Sequence, residues 1–101
     1  MPVIYHVTTL PEWEAAQLTG AYRAASLETE GFIHCSEAQQ VAGVLQRYFA
    51  GKTNLVKLAI DTEKLFAELK YELAPSVNEY FPHIYGPINI NAVIAILNVE
   101  F

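Results

Sequence analysis

Three histidines occur in this chain, and each stands two positions before a hydroxyl-bearing residue: His6-Val7-Thr8, His34-Cys35-Ser36 and His83-Ile84-Tyr85. On an extended strand, residues i and i+2 share a face, so each triplet, if extended, presents an imidazole beside a hydroxyl. Imidazole changes charge near neutral pH and can donate, accept or ligate. Spending every histidine in one repeated context points to a site rather than to surface filling. The inference requires the three segments to meet in space.

The residues around the triplets decide what each could do. For His6, a buried ring bonded to backbone competes with a donor–acceptor pair made with Thr8. His34 leads into Ser36, which reads as a helix cap, so free amides and the positive end of a helix would lie beside it and attract an anion. A Ser36–His34 nucleophile pair is disfavoured, because a capping hydroxyl is already committed and no elbow motif surrounds it. Cys35 reads as a small buried hydrophobe. His83 and Tyr85 belong to the stiff segment Phe81-Pro82-His83-Ile84-Tyr85-Gly86-Pro87, either a ligand-contacting loop or a packed aromatic corner. Phe81 and Tyr85 can pack with one side and stack on a ligand ring with the other. Glu72, between Tyr71 and Leu73, points outward into solvent or, if inward, is the best general base or ribose-hydroxyl acceptor. Glu30 and Glu37 are the other carboxylates near a histidine, and Glu37 most simply steadies a helix start. Metal is disfavoured, since no two histidines have close ligand spacing.

The elements that must carry these groups follow from pattern. Val3 to Thr8 predicts a buried strand. Thr8 or Thr9 then caps a helix with Pro11 in its first turn, Trp13, Ala16 and Leu18 on its apolar side, and Gly20 as its stop. Glu28 to Gly31 is a polar turn, and Phe32 to Cys35 a second strand. Ser36-Glu37-Ala38-Gln39 fits a capping box. The next helix places Val41, Val44, Leu45, Tyr48 and Phe49 on one stripe and closes at Gly51. Asn54 to Ile60 is a strand, Asp61 caps a short helical turn running through Leu65 to Leu69, and Lys70 to Leu73 is extended. Ala74 to Tyr80 reads as loop. Asn91 to Phe101 is a long final strand, apolar on both faces and therefore central. The order predicts one α+β domain over residues 1–101, with a mixed or antiparallel sheet.

Composition narrows the classes. A chain of 101 residues holds one core, and 52% apolar residues exclude disorder. Its longest apolar stretch, Ala92 to Leu97, is too short to span a bilayer. The N-terminus lacks a basic, leader-like segment, and one cysteine suits a reducing compartment, so a cytoplasmic location is expected. The net charge of −5, with Arg23 and Arg47 the two arginines, disfavours extended nucleic acid but leaves room for one nucleotide in a pocket. Protein partners and oligomeric state are not legible.

Ile4-Tyr5-His6-Val7-Thr8, Glu30-Gly31-Phe32-Ile33-His34-Cys35-Ser36, Tyr71-Glu72 and Phe81-Pro82-His83-Ile84-Tyr85-Gly86-Pro87 together resemble a family of small proteins, domain of unknown function 952 (DUF952). The resemblance covers essentially the whole chain and implies a distant relation to the ADP-ribosyltransferase-like fold, in which split small sheets grip NAD. It implies that His6 and Thr8 orient a ribose, although Val7 stands where that fold usually has glycine. His34 and Ser36 would hold a phosphate or the nicotinamide amide. Glu72 would stabilise positive charge on the ribose, Tyr85 would stack, and His83 would act as acid or base. The expectation is a domain that binds NAD or an ADP-ribose-type nucleotide, with glycosidic cleavage or transfer if it is an enzyme. The alternative is a non-catalytic nucleotide-binding or sensor module.

Overall fold

In a computed structural model that describes residues 2–99, the chain starts with strand β1 (Val3–Thr9) and helix α1 (Leu10–Thr19). Thr9 is the N-cap, and Glu12 completes a capping box with it. Trp13 and Ala16 are buried, whereas Leu18 stands in solvent. Gly20 ends the helix at φ +91°, a left-handed conformation that glycine adopts without a Cβ clash.

Strand β2 (Ala21–Tyr22) and helix α2 (Ala25–Thr29) follow, the latter occupying part of what the sequence reads as a polar turn. Strand β3 is reduced to Ile33–His34. Ser36 is not the helix cap that its sequence context suggests. Its amide and carbonyl exchange hydrogen bonds of 2.8 Å with Tyr5, an isolated bridge that keeps it extended. The cap moves one residue on, to Glu37, whose amide donates to Gln40 Oε1 at 2.9 Å. A single 3-10 turn at Ala38–Gln40 then leads into α3 (Val41–Tyr48), which buries Val41 and Leu45.

Strand β4 (Leu55–Asp61) ends where Asp61 accepts the Glu63 amide at 3.0 Å, capping a turn that covers Thr62–Lys64 and stops short of the expected length. The remaining strands are β5 (Glu68–Ala74), β6 (Glu79–Tyr85), β7 (Ile88–Asn89) and β8 (Val93–Asn98). All pairings are antiparallel, in sheets ordered β1-β4-β8, β2-β7 and β3-β6-β5. The class is α+β.

Two further segments depart from the sequence expectation. The Phe81–Pro87 segment is not a loop: most of it is β6, the middle strand of its sheet. Pro82 is tolerated there because β3 ends at His34, so the side it faces offers only the Cys35 amide, which donates to the Pro82 carbonyl at 3.0 Å. The last strand is not central. It lies at the edge of its sheet with Ile94, Ile96 and Leu97 partly exposed, and β4 holds the middle. Glu100 and Phe101 of that expected strand lie outside the described residues.

The main core joins both three-stranded sheets through Ile4, Ile33, Leu58, Ile60, Ile84 and Ile88, closed by Trp13 and Tyr22. Val7, Val41 and Leu45 form a second cluster that seats α3 on the other face of β1. Alternation along β1 therefore sends Ile4, His6 and Thr8 one way and Tyr5 and Val7 the other. No helix among the described residues is long and apolar enough to cross a membrane.

Candidate functional site

The Tyr5–Ser36 bridge ties the β1 sheet to the β3 sheet, and a cavity of about 640 Å³ opens at the junction. Its wall includes His6 from β1, Ser26 and Glu30 from the α2 region, His34 and Ser36, Arg47 from α3, and Phe81 and His83 from β6. Its volume lies within the usual range for small-ligand pockets. All three histidines therefore reach one space, as the sequence inference requires.

His34 and His83 are directly paired across β3 and β6, with ring centroids 5.2 Å apart and nearly perpendicular planes. Phe32 fixes both. It stacks on His83 at 4.1 Å and meets His34 edge-on at 4.8 Å. Each imidazole also holds a carboxylate: His34 Nε2 lies 3.1 Å from Glu30, and His83 Nδ1 lies 2.8 Å from Glu72 Oε1.

Glu72 faces the same side of the sheet as His83, because it sits diagonal to it in the β5–β6 register. Its Oε1 also accepts the Tyr85 hydroxyl at 2.5 Å. The bonds from Tyr85 and then His83 hold the Glu72 carboxyl below its ordinary range, and the same Tyr85–Glu72 bond raises the phenol. An ionised carboxylate only accepts, so the hydrogen of a neutral His83 ring sits on Nδ1 and Nε2 keeps its lone pair. The same logic leaves the lone pair of a neutral His34 on Nδ1. Neither of these second nitrogens has a hydrogen-bond partner among the described residues. The arrangement suits proton exchange with, or hydrogen bonding to, a group lodged beside both rings.

His6 is placed differently. Its Nδ1 contacts the His34 carbonyl at 2.6 Å, and its Nε2 contacts the Tyr22 hydroxyl at 2.8 Å. Tyr22 continues to Thr8 at 3.0 Å, and Thr8 to Glu12 at 3.1 Å. Burial pushes the His6 ring down to about 4, so the neutral form dominates at neutral pH. Thr8 is buried behind the cavity and does not line it, while Ser36 does. Glu72 and Tyr85 also lie outside the lining; Glu72 bonds His83 of the wall, and Tyr85 bonds Glu72 behind it. Cys35 is buried, and burial raises its thiol, which keeps it protonated.

Several participants carry weak sequence signals. Phe32 and Tyr22 look like core aromatics, and only the fold sets them against histidines. Glu12 completes the capping box with Thr9, and only the fold makes it the end of a chain from His6. Arg47 reads as an exposed residue in a helix last turn. Among the described residues, no group of three or more His, Cys, Asp or Glu side chains is placed to hold a metal ion.

An antiparallel α+β domain with a histidine-walled cavity between its sheets is thus the class of protein defined by the fold and the site. The chain belongs to the DUF952 family, described as a protein of unknown function, whose model matches residues 7–96. It is similar to protein CC0527 from Caulobacter crescentus. The X-ray structure of that protein is 32% identical, with a TM-score of 0.89 over 99% of this chain and 88% of that one. Its solution NMR structure is also 32% identical, with a TM-score of 0.83 over 100% of this chain and 87% of that one. The comparison with curated proteins returned no match.

Proposed function

We propose that the cavity binds a small ribose- or phosphate-bearing ligand, NAD or an ADP-ribose derivative being the first case, and that His83 exchanges a proton with it. The observation that carries this reading is the facing pair His34 and His83, each anchored through one nitrogen and open at the other. Arg47 and the Ser36 hydroxyl on the same wall add donors suited to phosphate and sugar oxygens, whereas the Ser26 hydroxyl donates to the Phe32 carbonyl at 2.7 Å and is left to accept. Two three-stranded sheets with a first-strand histidine on the cavity wall are also what a distant relation to ADP-ribosyltransferases would leave.

The roles shift with the geometry. His34, Ser36 and His83 contact the ligand. His6 and Thr8, whose polar atoms are engaged with protein groups, hold the His34 segment in place. Glu72 orients His83 instead of facing the ribose. That last placement favours a second reading, a binding module without turnover, because the carboxylate is spent on His83 and Tyr85.

An NMR titration tests the proposal. Adding ADP-ribose or NAD is expected to shift the ring signals of His34 and His83 and the Ser36 amide, with little effect on the distant β8. His83→Ala is expected to weaken that binding by about tenfold, the equivalent of one lost hydrogen bond to a charged group. Release of nicotinamide from NAD would establish catalysis, and binding without release would establish the module. If neither nucleotide moves those signals, the ligand assignment is wrong.

A further inference from the structure

The chain from His6 to Glu12 has three links, His6–Tyr22, Tyr22–Thr8 and Thr8–Glu12. The Nδ1 hydrogen of His6 is committed to the His34 carbonyl, which can only accept. Burial works against ionisation of Glu12, but bonds from Thr9 and Thr8 outweigh it and hold the carboxyl below its ordinary value. Burial also pushes the Tyr22 phenol up to about 12, so Tyr22 keeps its own hydrogen. With a neutral imidazole and an ionised carboxylate, the three links share two hydroxyl hydrogens. Every atom has a neighbour at hydrogen-bond distance, yet one link sets lone pair against lone pair. One added proton, on His6 Nε2, fills all three.

We infer that His6, Tyr22, Thr8 and Glu12 form a proton-uptake site on the cavity wall, which takes one proton from solvent when an anionic group enters the cavity. The inference rests on the ligand reading above and adds the sign of the ligand's charge. The imidazolium so formed lies at the cavity surface, and Glu12 alone balances it from the far end of two hydroxyls. An anion beside His6 completes the balance.

Arg47 on α3, Glu30 just after α2 and His83 on β6 share the cavity wall with His6. Glu12 on α1 favours the added charge, and His34 on β3 opposes it when protonated. Tyr22 on β2 and the buried Cys35 are neutral. On β4 the residue opposite is Leu58, while Lys57 lies over the Tyr5 ring on the other face. A single negative charge roughly 6 Å away, at an effective dielectric of about 20, raises the His6 value by about two pH units.

Two substitutions weaken the case for the added proton by different routes. Thr8→Val deletes two links, which frees the Tyr22 hydrogen for His6. Glu12→Gln removes the negative charge that favours an imidazolium, while its amide oxygen can still accept from Thr8 and from the Thr9 amide where Glu12 Oε1 does now. In the ligand-free protein, ring 15N shifts of His6 followed against pH are expected to show Nδ1 protonated and Nε2 bare at neutral pH. Both variants are expected to titrate lower than the wild type by about one pH unit, the worth of one hydrogen bond. Amide spectra verify that each variant is folded.

Calorimetry with ADP-ribose in buffers of different ionisation heat, at about pH 5.5 where the anion-raised and resting values lie on either side, is expected to show more than half a proton taken up by the wild type and far less by either variant. If the variants titrate like the wild type, or bind ADP-ribose with the same proton uptake, the inference is overturned. If the titrations behave as expected but ADP-ribose leaves the cavity signals unmoved, the ligand reading falls and the proton-uptake site stands on the titration.

Discussion

Ile84→Ala is expected to destabilise the fold by about 2–5 kcal/mol, the usual range for emptying a fully buried aliphatic site. Ile84 is 0% exposed and lies on the central strand β6, paired with Ile33 on one side and Leu69 on the other. Ladder hydrogen bonds hold both neighbours, so the space left by the side chain cannot close by collapse. The effect bears on function because alternation along β6 puts Ile84 in the core and His83 on the cavity wall. One strand therefore links core packing to the histidine pair. Urea unfolding measures it, with Tyr80→Ala on the same strand as the control. Tyr80 is 61% exposed, and its replacement is expected to cost no more than about 0.5 kcal/mol. Equal losses for the two variants would refute this account of the core.

Acidification is expected to weaken the protein through His6. Burial lowers its folded value from 6.5 to about 4, so between these limits the unfolded chain binds a proton that the native chain refuses. Stability contributed by the neutral ring is fully present above pH 6.5 and is lost as pH falls towards 4, below which no more is lost from this group. The gap is worth at most about 3 kcal/mol. Asp and Glu residues titrate toward the acid end of the same window, so the informative quantity is the difference from His6→Asn, whose amide can still donate to the His34 carbonyl. Unfolding free energies measured across the window are expected to fall more steeply for the wild type than for the variant. Parallel curves would show that His6 is not a buried neutral ring.

Much of the frame was legible because local signals and tertiary context agree. Thr9 and Gly20 bound α1 by cap chemistry that needs no long-range partner. Val41 and Leu45 face the core at helical spacing. The misreadings occur where a distant contact overrides a local cue. Ser36 has the composition of a cap, but the Tyr5 bridge keeps it extended. Pro82 argues against a middle strand, and only the early end of β3 makes one possible. The apolar residues of β8 suggest a central strand, yet β4 takes that place between β1 and β8. The short pairing of β2 with β7 has no periodicity to read, and it is what brings Tyr22 to His6.

The same division holds at the site. The three histidines of the repeated histidine–hydroxyl pattern line one cavity, but the hydroxyl two residues on is not the partner of any of them. His6 reaches the Tyr22 hydroxyl, His34 reaches Glu30, and His83 reaches Glu72, which Tyr85 also contacts. Residues i and i+2 do share a face, as the contact of Phe32 with His34 shows, but the hydrogen-bonding side chains that meet the histidine rings come from neighbouring elements.

A crystal structure grown with ADP-ribose tests the central claim most directly. The account predicts the nucleotide in the cavity between the sheets, with a phosphate or ribose oxygen within hydrogen-bond distance of His34 Nδ1 or His83 Nε2 and the Glu72–His83 contact retained. A cavity left empty at saturating nucleotide, or a nucleotide bound elsewhere on the molecule, would contradict it.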